Sequence, residues 1–164
     1  MGEKQAAQQQ VMLFAIDEGE HSFYALEWVL DHFFVTSGLN QPFKLIVVYA
    51  KPTPSSVVGL GGPGTVDIMG VVDSDLKKNA QKVLEKGKQL CSTKGVDNAS
   101  FETVEGDPRN VLVEGVEKHR ASLLVLGSHG YGALKRAVLG SVSDYCAHHA
   151  HCSVMIVKKP KIKH

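Results

Sequence analysis

Four short, nearly uninterrupted apolar runs dominate this chain: VMLFAI (Val11–Ile16), KLIVVYA (Lys44–Ala50), SLLVLG (Ser122–Gly127) and SVMIV (Ser153–Val157). A strand with one face in water alternates polar and apolar residues, whereas a strand covered on both faces need not. Runs of this kind, separated by helical spacing, predict a parallel sheet with helices on both faces. ASFETVEG (Ala99–Gly106) supplies a shorter fifth strand.

The intervening segments carry helix signals. Ser22 is the expected N-cap of a helix reaching about Phe34, with Tyr24, Trp28, Val29 and His32 at helical spacing. A second helix is expected from near Ser74, with Leu76, Ala80, Val83, Leu84 and Leu90 on one face and Gly95 closing it. Asp107 caps a third, Pro108 takes its first position, and Val111, Leu112 and Val116 form the buried stripe. A last helix starts at Gly140. Between the second strand and second helix lies a Pro/Gly/Ser-rich stretch, residues 51–70, long enough to be either functional or mobile.

The 164 residues suit a single α/β domain with right-handed crossovers, spanning 11–158. A polar leader (1–10) and a basic tail (159–164) flank it. Eighteen basic against 17 acidic residues leave a net charge of +1, which gives no global attraction to nucleic acid or anionic lipid. Three cysteines without a framework spacing, and no signal peptide or membrane-length apolar run, predict a cytoplasmic protein, with the nucleus also open to a chain this small.

Ligands of open parallel sheets bind beyond the carboxyl ends of the strands, where strand order reverses. The loops beginning at Asp17, Tyr49, Glu105 and Gly127 occupy that edge. In GSHGYGALKRAVLGS (Gly127–Ser141), Gly127 and Gly130 follow a buried strand and, nine residues later, Gly140 and Ser141 open a helix. Glycines admit close approach of phosphate oxygens, and a helix N-terminus offers unpaired N–H groups and partial positive charge. Ser141 and Ser143 could add hydroxyl donors. The alternative is a simple turn followed by a simple helix start. Within the insert, Leu134, Val138 and Leu139 are expected to anchor to the core while Lys135 and Arg136 face outward.

This spacing, GxxG, nine residues, then G and S, resembles the ATP-binding signature of the universal stress protein family. The resemblance also covers AIDEGEHSFYALEW and VEGDPRNVL and extends over about residues 10 to 160, most like the small plant-type members. It implies a Rossmann-like, adenine nucleotide α-hydrolase-like three-layer sandwich with strand order 3-2-1-4-5, and ATP or AMP across the carboxyl edge. By the same resemblance Ala15, Ile16 and Asp17 border adenine and ribose, and Val48 holds the adenine. Gly127, Ser128, His129 and Gly130 line ribose and phosphates, and Gly140, Ser141, Val142 and Ser143 hold the phosphates. Glu105, Gly106 and Asp107 are neighbours. Mg²⁺ could accompany ATP, and the last strand (Val154, Met155, Ile156, Val157) would pair antiparallel with its copy in a homodimer.

The residues themselves leave other readings open. Asp17 suits a ribose hydroxyl but also an Asx turn, and Asp107 suits a helix cap. GLGGPG (Gly59–Gly64) matches a dinucleotide fingerprint only formally, because no strand runs directly into it and no helix directly follows. CAHHAHC (Cys146–Cys152) contains zinc-ligand types, or else histidines stabilising a helix C-terminus beside buried cysteines. No GxxxxGK[ST] phosphate loop and no SGGxDS motif is present, so the expectation is a nucleotide-binding stress module rather than an enzyme. Slow ATP hydrolysis or phosphotransfer using Asp17 or His129, and a chaperone-like interaction role, are the alternatives.

Overall fold

The computed structural model describes residues 9–58, 65–129 and 139–160. Gly130, the insert 131–138, GLGGPG from 59 to 64, and the outermost residues of leader and tail lie outside that set.

Five parallel strands form one sheet in the order β3-β2-β1-β4-β5: β1 Gln10–Ile16, β2 Phe43–Lys51, β3 Ser100–Glu105, β4 Leu123–Gly127 and β5 Ser153–Val157. The expected strand order is therefore observed. β1 starts at Gln10, inside the segment expected as a leader, and the Gln9 side chain donates to the carbonyls of Gln41 and Phe43. β1 is the centre of the sheet, and Met12, Leu13 and Phe14 are fully buried.

Side-chain alternation along the strands builds two apolar layers. Met12, Phe14, Leu45, Val47 and Tyr49 pack with Ala25, Leu26, Val29 and Val83 on one face. Leu13, Ile46, Val48, Leu124 and Leu126 pack with Val111, Leu112, Val116 and Cys146 on the other. Both faces are thus covered, which is why these strands read as continuous apolar runs. Burial also pushes the Cys91 and Cys146 thiols up to about 11, which keeps them protonated and poorly nucleophilic near neutral pH.

Helices α1 (Glu20–Val29), α2 (Pro54–Val58), α3 (Thr65–Thr93), α4 (Pro108–His119) and α5 (Ser141–His149) join the strands, and a π-helical turn over Leu30–Val35 extends α1. Three expectations need correction. Ser22 is not the N-cap of α1; Gly19 is, and Ser22 lies inside the helix with its Oγ accepting the Asp17 N–H at 2.8 Å. Asp17 Oδ1 accepts the Gly19 N–H at 2.7 Å, so an Asx turn starts the helix early.

The buried face of α1 is Ser22, Ala25, Leu26 and Val29. Small residues let the helix lie close to β4, while Trp28 stacks on exposed His32 at the flank, centroids 4.0 Å apart. Finally, α3 begins at Thr65 rather than Ser74, and α2 occupies part of the Pro/Gly-rich stretch. Pro54 is tolerated at a first helical position, where its missing N–H has no intrahelical partner to lose. α4 matches expectation: Asp107 caps it by accepting the Arg109 N–H at 2.9 Å, and Val111, Leu112 and Val116 are buried.

Candidate functional site at the carboxyl edge

Strand order reverses between β1 and β4, since β2 flanks β1 on its other side. A cavity of about 340 Å³ opens there. Ala15, Ile16 and Asp17 from the end of β1, Val48 from β2, Gly127 and His129 after β4, and Val142 and Ser143 from α5 all line it. Eight of the expected site residues thus converge from four chain segments. Ser128, Gly140 and Ser141 are not among the lining residues, and Gly130 lies outside the described residues.

Ser128 ties the two halves of the glycine-bounded stretch together. Its N–H donates to the Val157 carbonyl at 3.1 Å, and its own carbonyl accepts the Gly140 N–H at 2.6 Å and the Ser143 hydroxyl at 3.0 Å. The Ser143 hydroxyl also faces the Gly140 carbonyl at 3.0 Å. That single hydroxyl proton is directed at carbonyls, and the first-turn backbone N–H groups of α5 have no intrahelical acceptor. Gly140, with φ −68° and ψ 163°, is the N-cap of α5.

Gly127 has a further reason for being glycine. A Cβ there would sit 2.9 Å from the His21 carbonyl oxygen and 3.0 Å from its carbon. The absent side chain admits the first turn of α1 onto the end of β4. The His21 ring consequently meets the loop after β4: its Nδ1 is 3.5 Å from Ser128 Oγ, and His129 Nδ1 is 3.2 Å from the same oxygen.

The sequence reading missed several wall residues. Ala50, Pro52, Pro108, Leu112 and Leu126 give the cavity an apolar side. Tyr49 and Glu18 also line it. The Tyr49 hydroxyl donates to Glu18 Oε1 at 2.6 Å, and the Asn79 amide of α3 donates to the same oxygen. Burial, followed by the bond to Glu18, holds the phenol well above its usual range, so it remains a donor. In the sequence Tyr49 is visible only as a hydroxyl-bearing residue at the end of an apolar strand, 31 residues from Glu18.

Glu105 and Asp107 have other partners. Buried Lys51 lies 3.5 Å from both Glu105 and Asp73, and the Gly106 N–H donates to the Lys51 carbonyl at 2.9 Å. The Arg109 guanidinium and backbone bonds hold the Asp107 carboxyl below its usual range. In CAHHAHC the histidines diverge. His149 stacks on Tyr145 with centroids 4.1 Å apart, His151 pairs with Glu117, and His148 lies 3.6 Å from Asp144. Among the described residues no three His, Cys, Asp or Glu side chains gather as a metal site, and no helix is long and apolar enough to cross a membrane.

Residues 9–158 match the model of the universal stress protein family. Universal stress protein MJ0531 of Methanocaldococcus jannaschii is 39% identical over 121 residues, which cover 74% of this chain and 66% of that protein. The chain therefore spans about two thirds of that relative's length. Two solved structures share the fold. One is a universal stress protein family protein from Arabidopsis thaliana with AMP bound, with TM-score 0.64, 22% identity and 92% of each chain covered. The other is a universal stress protein in complex with cAMP, with TM-score 0.63, 20% identity, and 93% of this chain and 98% of that one covered.

Proposed function

The chain belongs to the universal stress protein family, and on that premise we propose that its carboxyl-edge cavity binds an adenine nucleotide, AMP or ATP, in a stress-response or signalling module. The observation that carries the reading is the convergence of an apolar slot, a turn carboxylate and a helix N-terminus around one cavity at the switch point. The apolar slot between Ala15, Val48, Ala50 and Leu112 suits a purine. Backbone groups at Val48 suit its hydrogen-bonding edge, and Asp17 suits a ribose hydroxyl. The first-turn N–H groups of α5, at Ser141, Val142 and Ser143, would take the phosphates, with Gly127 and His129 beside them, while the Ser128 and Gly140 N–H groups hold the two segments together. The AMP-bound and cAMP-bound relatives support an adenine ligand. ATP would bring Mg²⁺ to its outer phosphates.

The reading is binding rather than turnover. Phosphoryl transfer needs an aligned base and several charges on the moving phosphate. Asp17 Oδ1 instead accepts the Gly19 N–H. Equilibrium dialysis is expected to give saturable binding of AMP and ATP at one site per chain, with GTP at least about tenfold weaker because the purine edge is read. Absence of saturable adenine-nucleotide binding by folded protein overturns the reading.

A homodimer is part of the same proposal. β5 is an edge strand without an internal charge or proline, and Val154, Met155 and Ile156 are only partly buried. Such an edge favours pairing with a second copy. Light scattering at micromolar concentration should return twice the chain mass; a monomer at that concentration refutes the pairing.

A further inference from the structure

We propose that Glu18 selects among adenine nucleotides: its carboxylate accepts from the ribose cis-diol and so favours AMP and ATP, whose 2′- and 3′-hydroxyls are free, over 3′,5′-cyclic AMP. The proposal rests on the nucleotide reading and adds a selector to it. It arises from a carboxylate on the cavity wall that neither the purine slot nor the phosphate contacts use.

Strand order decides which part of the ligand meets this carboxylate. The apolar slot lies at the ends of β1 and β2, through Ala15, Val48 and Ala50, and the proposed phosphate contacts lie after β4 and at the start of α5. β1 stands between β2 and β4. The middle of a nucleotide, its ribose, therefore crosses the end of β1, where Asp17 and Glu18 follow Ile16 and line the cavity. Asp17 Oδ1 already accepts the Gly19 N–H.

Glu18 is held in place for the contact. The Tyr49 hydroxyl from β2 donates to Oε1 at 2.6 Å, and the Asn79 side-chain amide from α3 donates to the same oxygen. Among the described residues no donor reaches Oε2. Gln41 Oε1 is the one buried side-chain polar atom without a partner in that set, so Oε2 keeps access to solvent. Two donors on one oxygen fix the carboxylate and leave the other oxygen as an acceptor. A sugar hydroxyl brings it a proton. The esterified 3′ oxygen of cAMP brings none, and the cyclic phosphate sets a negative charge near the carboxylate.

The test is calorimetric titration of AMP, cAMP, 2′-deoxy-AMP and 3′-deoxy-AMP into wild-type and Glu18→Gln protein. Wild-type protein should bind at least one of the deoxy nucleotides about tenfold more weakly than AMP, since a bond to a charged acceptor is lost. In Glu18→Gln, Tyr49 and Asn79 pin the amide oxygen, so the amide nitrogen takes the place of Oε2 and an acceptor becomes a donor. AMP should then bind roughly three- to tenfold more weakly while cAMP binds more tightly, and the AMP-to-cAMP affinity ratio should fall at least about tenfold. Because cAMP also carries less charge than AMP, the change in this ratio is the diagnostic quantity. A purely structural tie among β1, β2 and α3 would weaken both nucleotides together. That outcome, an unchanged ratio, or equal wild-type affinity for AMP and both deoxy nucleotides overturns the selector and leaves the nucleotide reading standing. Should Glu18→Gln fail to fold, Tyr49→Phe removes one pinning donor and keeps the buried ring; it should narrow the ratio at least about threefold, and an unchanged ratio there overturns the selector as well. Failure of wild-type protein to bind either AMP or cAMP overturns both readings.

Discussion

AMP affinity is expected to fall at least about a hundredfold in a Gly140→Asp protein, with α5 still folded. Gly140 is the N-cap of α5, and its φ of −68° and ψ of 163° are open to any residue. Aspartate is a preferred N-cap whose carboxylate accepts from first-turn N–H groups. Those are the groups offered to phosphate in the proposed complex, so the side chain competes for them and also repels the anion. Two unit charges about 4 Å apart near a protein surface repel by about 4 kcal/mol, more than the roughly 2.7 kcal/mol that a hundredfold represents. Titration of AMP, alongside far-ultraviolet circular dichroism, checks both parts. Unchanged affinity in a folded variant would mean that phosphate does not sit on this helix.

Gly127→Ala should lower both stability and AMP binding. The new methyl meets backbone atoms of His21 at 2.9 and 3.0 Å, and backbone cannot swing aside as a flexible side chain can. Either α1 lifts from the sheet or the end of β4 bends. Overpacking of this kind costs about 1–3 kcal/mol, and about 2 kcal/mol corresponds to a melting-temperature loss of roughly 4–8 °C in a domain of this size. Binding suffers because the displaced parts are the two sides of the site, the Asp17–Gly19 turn before α1 and the loop after β4. Thermal denaturation and AMP titration read the two effects. A variant with unchanged melting temperature would show that the close approach is not a constraint.

These two glycines also mark what sequence could and could not reveal. The glycine spacing located the site, because strand ends and helix starts are punctuated locally. The reason for Gly127 was partly misassigned: its Cβ would meet α1, a contact more than a hundred residues away in sequence. The doubly buried strands were legible because both faces are covered by helices, and α4 was legible from Asp107 and Pro108. The start of α1 was not, since Ser22 resembles a cap when Asp17 and Gly19 are read only as a loop. The first nine residues of α3 were hidden by neighbouring glycine and proline. The Glu18–Tyr49–Asn79 tie joins residues 31 and 61 apart, and no local pattern announces such pairs.

The bonds made by Ser128 bear on how this family member can vary. Its carbonyl accepts the Gly140 N–H and the Ser143 hydroxyl, and its N–H reaches Val157, so the ends of the intervening segment are fastened by main-chain groups and one small side chain. A change that removes the Ser143 hydroxyl therefore loosens the join between the loop after β4 and α5, whereas exchange of the Ser128 side chain leaves its main-chain bonds in place.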